Sequence, residues 1–329
     1  MQQESTVSAH GQGNANQPAR ERVGLALFGR AGVPHLLERL RQAEQAGVRQ
    51  FWMTQLPTSP DTLTLFAAAL VQTERIRLGT AIVPTYPRHP LVMAQQAYTL
   101  EELGPGRLRL GVGTSHRHSI EGVYGFSMVE PLEQLREYVS ILRAALWDGA
   151  VDVQGRFYTA HASFPQPVRV PILISALRSR AFRLAGELAD GAISWMCPHP
   201  YLLEKARPAL VEGATSRGRP VPPLLAHVPV VLGRDWNAVL EAARKHLGLY
   251  GRAPFYRNMF ADAGYPLGSD GLLPEELVRN LVVWGDEATV AARLRQLLAQ
   301  GFDELLVMLV PLFDERRELG QLMELLGTL

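Results

Sequence analysis

The sequence predicts an α/β fold, a TIM (β/α)8 barrel carrying insertions, and three observations predict it. Eight short apolar runs, beginning near residues 23, 51, 76, 107, 172, 192, 225 and 304, alternate with stretches of helical periodicity. The early runs recur about every 30 residues, the length of one strand-and-helix repeat. The first run is not followed by G-x-G-x-x-G, which weighs against a doubly wound sheet, the competing architecture.

The elements follow in order. Residues 23–28 (VGLALF) form an apolar run ended by Gly29 and Gly32, the pattern of a strand buried on both faces. Leu36, Leu37, Leu40, Ala43 and Ala46 then recur at helical spacing, with Gly47 at the C-cap position. A short strand over 51–53, a helix over 62–72, a strand over 76–83, a helix over 91–103 and a strand over 107–112 continue the alternation. Leu132, Leu135, Val139, Leu142 and Leu146 mark a long helix that ends at Asp148-Gly149. Residues 150–169 break the rhythm: VDVQGRFYT predicts a hairpin turning at Gly155, and Pro165-Gln166-Pro167 stops regular structure. Strand 172–175, helix 179–188, strand 192–195, helix 201–214 and strand 225–232 resume it. Asp235 caps a helix to 247; residues 248–274, rich in Gly, Pro and aromatics, are a second insertion. A short helix over 274–283, a helix capped by Asp286, a strand over 304–310 and an amphipathic helix complete the chain. The expected organisation is a loose tail over residues 1–22 and one barrel domain over 23–329.

Composition narrows the function. With 33 Lys+Arg against 32 Asp+Glu, the net charge of +1 offers no field for a nucleic acid or an anionic membrane surface. With 47% apolar and 20% charged residues, and no apolar run near the roughly 18 that cross a bilayer, the chain reads as soluble, with no membrane partner. One cysteine, Cys197, excludes an intrachain disulfide framework and reads as a packing residue of a cytoplasmic protein. The first 22 residues lack the basic and apolar regions of a secretory signal.

In a barrel the chemistry belongs at the carboxyl ends of the strands. Thr54 and Gln55 follow the second strand, and Gly111, Gly113, Thr114, Ser115, His116, Arg117 and His118 follow the fourth. The glycines let the backbone approach a flat or anionic ligand. His116 suits a hydrogen-bond donor or proton relay near neutral pH, and Arg117 an anion anchor; a solvated loop is the alternative for both. Ser175, Ala176, Leu177, Arg178, Ser179 and Arg180 lead into a helix, so backbone N–H groups, positive helix-end potential and two arginines meet there. That combination suits a phosphate, and a plain Ser179 N-cap is the other reading. His116 and His118 stand two apart without an acidic cluster, so no metal site is expected. Nor does a G-x-S-x-G elbow point to a nucleophile.

Arg75 to Leu103 (RIRLGTAIVPTYPRHPLVMAQQAYTLEEL), Gly106 to Arg117 (GRLRLGVGTSHR), VPILISAL with LAGELADGAISW (residues 170–195) and WGDEATVAARL (residues 284–294) resemble the luciferase-like oxidoreductases, and the TYPRHP and SHR wording the deazaflavin-using branch. The resemblance implies a TIM barrel with insertions. It implies the deazaflavin coenzyme F420, with FMN and monooxygenase chemistry as the alternative and a non-catalytic cofactor-binding barrel as a third reading. It further implies a non-prolyl cis peptide at Ala81-Ile82 or its neighbour, with Thr80, Ala81 and Ile82 behind the ring and Thr54 and Gln55 near it. Thr114, Ser115 and His116 would contact its polar edge or ribityl chain, and Gly113 and Arg117 are expected among the cofactor-binding residues. Ser175, Ala176, Leu177, Arg178 and Ser179 would hold the phosphate, although Ala-Leu-Arg-Ser replaces the Gly-Gly-x-x of many relatives. Trp195 and Met196 would close the pocket. His116 is the candidate catalytic proton donor or acceptor, because hydride transfer to C=O or C=C usually needs a matching proton. The substrate is expected to be a small molecule. Tyr250, Phe255, Tyr256, Met259 and Phe260 make the second insertion either a lid over an apolar substrate or a contact in a homodimer.

Overall fold

The computed structural model describes residues 17–329. Eight parallel strands form the barrel: β1 (Val23–Phe28), β2 (Gln50–Thr54), β3 (Arg77–Thr80), β4 (Leu108–Gly113), β5 (Ile172–Ser175), β6 (Gly191–Ile193), β7 (Leu224–Leu232) and β8 (Glu304–Leu309). Each starts within one residue of its expected position. They pair in chain order, and β8 closes the ring beside β1, with Gly24 opposite Leu306. The apolar runs are strands because helices cover them outside and side chains fill them inside, so both faces are buried; all six residues of β8 are.

Caps behave as expected at Asp235 and Asp286, whose carboxylates accept the N–H of Asn237 and Thr289. The first insertion is an antiparallel hairpin of Ala150–Gln154 with Thr159–Ser163, turning at Gly155. The second contains a 3₁₀ turn (Gly248–Arg252) and a helix, Pro254–Asp262, that the sequence pattern did not reveal.

Other boundaries shift. Residues 1–16 of the expected tail lie outside the described residues, but Ala19–Arg22 is a helical turn rather than loose chain. Arg22 is buried there, its Nη2 donating to the carbonyl of Phe302 at 2.5 Å and its Nε to that of Asp303 at 2.8 Å. Partners some 280 residues away leave no local trace. The run 76–83 divides into β3 and a two-residue strand, Val83–Pro84, with a cis peptide at Ala81–Ile82 between them. β6 ends at Ile193, two residues early. The helix expected over 274–283 is Glu275–Leu281, after which Val283–Gly285 adds a short strand beside the end of β7.

Candidate active site

The loops after β1 to β6 converge on a cleft of about 600 Å³, within the roughly 300–1,000 Å³ usual for small-molecule sites. Phe28 and Thr54 enter it from the last positions of β1 and β2, and Ala81 and Ile82 from the break after β3. Thr114, Ser115 and His116 follow β4; Ser175, Leu177, Arg178 and Ser179 follow β5; Ile193 and Trp195 end the β6 side.

The break after β3 is tied to β2: Ala81 N–H donates to Met53 at 2.8 Å, and Ile82 accepts from Gln55 N–H at 3.2 Å. Gln55 lines the cleft, yet its amide is occupied locally. Its Oε1 accepts from Thr62 N–H at 2.7 Å and its Nε2 donates to the Leu56 carbonyl at 3.1 Å, which fixes the start of helix Thr62–Leu70. The Thr54 hydroxyl is buried and has no protein partner.

His116 stands against the second insertion, its ring 5.4 Å from that of Tyr256 and 6.2 Å from that of Phe255. Burial pushes its pKa below the ordinary 6.5, so the imidazole is neutral at pH 7. Trp195 is held on three sides. Its Nε1 donates to the Tyr250 hydroxyl at 2.8 Å, His227 stacks on it at 3.7 Å, and Phe28 meets it edge-on at 5.9 Å. Burial lowers the His227 pKa to about 3, so a neutral ring backs the indole.

At the other side, Arg178, Ser179 and Arg180 open helix Ser179–Leu188, whose amino end carries partial positive charge. Arg178 Nε reaches Asp262 Oδ2 of the insertion helix at 2.5 Å, and Lys205 Nζ reaches the Asp262 carbonyl at 2.5 Å. Helix Pro131–Arg143 adds Pro131, Leu132 and Leu135 to the wall.

Five expected contacts do not line the cleft. Thr80 Oγ1 is fully buried in the barrel wall, donating to Gly111 O at 2.7 Å and accepting from Gly111 N at 2.8 Å. Gly113 serves close packing instead: a Cβ there would come within 2.1 Å of Ser175 Oγ. Arg117 turns outward to Glu121 and the Met128 carbonyl. Ala176 is buried, its N–H bound to Ile193 at 2.8 Å. Met196 is fully buried with φ of +55° and donates its N–H to His227 Nδ1 at 3.3 Å. Conversely, the sequence left Tyr250, Phe255 and Tyr256 between a lid and a dimer contact and read Leu132 and Leu135 only as a helical stripe, and all five line the cleft. Met259 and Phe260 are buried in the core.

A cleft at the carboxyl ends of the strands is where barrel enzymes of this kind carry their chemistry. The family model described as luciferase-like monooxygenase matches residues 7–304, and the chain belongs to that family. It is therefore an oxidoreductase of the flavin or deazaflavin type. It is similar to the F420-dependent glucose-6-phosphate dehydrogenase of Nocardia farcinica, 31% identical over 281 residues, 82% of this chain and 83% of that one. Among solved structures it resembles the coenzyme F420-dependent tetrahydromethanopterin reductase of Methanopyrus kandleri, with TM-score 0.75 and 21% identity over 93% of this chain and 97% of that one. It also resembles the oxygenating constituent of 3,6-diketocamphane monooxygenase of Pseudomonas putida in complex with FMN, with TM-score 0.72 and 18% identity, covering 93% and 97%. No helix among the described residues is long and apolar enough to cross a membrane.

Proposed function

We propose that the chain is a deazaflavin-dependent oxidoreductase that exchanges a hydride between coenzyme F420 and a small organic substrate, with His116 handling the accompanying proton. The observation that carries this reading is one cleft holding three parts: an arginine-bearing helix amino end, an apolar floor at Ala81–Ile82, and a neutral imidazole. The donor set fits the coenzyme, since Arg178, Arg180 and Ser179 suit its phosphate, and the Thr54 hydroxyl lacks a protein partner. Ser175 and Leu177 would complete the cradle, Thr114 and Ser115 would hold the ribityl chain, and Ala81 and Ile82 would back the ring. The bound ring supplies the hydride donor or acceptor. Trp195, clamped by Tyr250 and His227, shapes the pocket, and Phe255 and Tyr256 exclude water over His116. Their place in the cleft supports the insertion as a lid rather than a dimer contact.

The F420-dependent relative at 31% identity favours deazaflavin, whereas the FMN complex of a structural neighbour supports FMN with monooxygenase chemistry as the second reading. Titration of the purified chain with F420 and with FMN, followed by absorbance and fluorescence, separates them. The reading expects saturable F420 binding and weaker FMN binding, and the reverse order replaces it with the monooxygenase.

A further inference from the structure

We infer that the substrate side of this cleft takes an uncharged, apolar alcohol or carbonyl compound and does not take a phosphorylated one. This inference rests on the oxidoreductase reading above and deepens it. Among the described residues that line the cleft, the cations are Arg178 and Arg180, neighbours at the amino end of one helix. They make one anion cradle, and Asp262 already shares Arg178. A coenzyme phosphate seated there leaves no other cation in the described lining for a phosphorylated substrate.

Arginines close to the cleft do not make up the difference. Arg117 is bound to Glu121 and the Met128 carbonyl, and Arg88 to Asp61. Arg30 stands at the rim, its guanidinium 5.0 Å from the centre of the Phe28 ring and near enough to act on the Tyr250 phenol, but it is exposed and its charge is screened by solvent. A phosphate dianion pushed toward the aromatic wall would lose its hydration without an opposite charge to replace it.

The wall itself favours apolar groups. Phe255 and Tyr256 lie over His116, and Leu132 and Leu135 add aliphatic surface. Each methylene that such a wall removes from water strengthens binding about fourfold. A neutral imidazole among these rings can hydrogen-bond one hydroxyl or carbonyl oxygen of the substrate. In the oxidising direction the carbinol C–H leaves as hydride to the oxidised deazaflavin and the O–H proton passes to His116. The C=O bond forms, the substrate loses two electrons, and the coenzyme gains them.

The test is binding rather than turnover. Protein saturated with F420 is titrated calorimetrically with cyclohexanol, benzyl alcohol and glucose 6-phosphate. The two alcohols are expected to bind alongside F420, and glucose 6-phosphate to bind, if at all, only by competing with F420. Phe255→Ala should weaken benzyl alcohol about tenfold or more while F420 affinity and the thermal unfolding midpoint stay unchanged. Glucose 6-phosphate binding to the F420-loaded protein more tightly than benzyl alcohol overturns the inference, as does F420-loaded protein that binds neither alcohol. Absence of F420 binding at the outset overturns the parent reading instead, and the inference with it.

Discussion

The two ends of this barrel are built on opposite terms. At the amino end of the strands the polar groups answer one another inside the wall. Glu304 of β8 meets Arg109 of β4 through two contacts, at 2.5 and 2.9 Å, and accepts from Gln50 of β2 at 2.9 Å. Trp52 lies beneath the Arg109 guanidinium, donates to Gln50 at 3.0 Å, and fits because Gly24 and Gly79 carry no side chain. At the carboxyl end, Thr54 is left with an unpaired hydroxyl, His116 with aromatic neighbours, and the arginine cradle with a half-exposed carboxylate. The difference teaches where stability and chemistry are divided: one end has its partners within the chain, and the other holds groups ready for a ligand.

The comparison breaks most visibly at Glu304. Glu304→Ala strands the Arg109 charge in the wall and should cost about 3–5 kcal/mol in urea unfolding. A loss under about 1 kcal/mol would show that the closed end is not what holds the barrel. Acid attacks the same contact. Burial alone would raise the Glu304 pKa, but the charge of Arg109 and hydrogen bonds from Arg109 and Gln50 outweigh it and hold the carboxyl below its ordinary 4.5. The stability it contributes is therefore present above about pH 4.5 and is lost as pH falls below that value.

His116→Ala tests the open end. Turnover should fall about 100-fold or more, with F420 affinity intact and stability changed by less than about 1 kcal/mol. In the wild-type chain, activity in the oxidising direction should rise with pH through a midpoint below 6.5, because burial lowers the imidazole pKa. A midpoint at or above 6.5 removes His116 from the proton step. Gly79→Ala puts a Cβ within 2.2 Å of the Trp52 ring and should cost about 1–3 kcal/mol, read by thermal unfolding, without altering coenzyme affinity. Arg178→Ala should have the smallest effect on stability, under about 1 kcal/mol, since its pair with Asp262 is half exposed. Its F420 affinity should nevertheless fall about 10-fold or more, and an unchanged titration would move the phosphate elsewhere.

The sequence by itself determined the eight strands, the hairpin at Gly155 and the caps at Asp235 and Asp286. Each depends on residues close together in the chain: an apolar run, a turn glycine, a carboxylate ahead of a helix. It also pointed to the loops after β2, β4 and β5, because a barrel carries its chemistry at the carboxyl ends of its strands, but not to Phe28 at the end of β1. Only the tertiary structure decided which side chains of those loops face inward. Thr80 and Ala81 are neighbours, yet one hydroxyl is spent on Gly111 while the next residue lines the cleft. Successive residues of a strand point to opposite faces, so composition cannot choose between them where a strand breaks. Arg117, Ala176 and Met196 stand in the same loops yet do not line the cleft, because an ion pair to Glu121, a backbone bond to Ile193 and a bond to His227 hold them elsewhere. Tyr250, Phe255 and Tyr256 were visible as an aromatic cluster, but their place over His116 depends on packing between segments more than 130 residues apart in the chain. Periodicity reports the neighbourhood of each residue along the chain, whereas an active site is made by closure of the barrel, which brings six separate loops to one point.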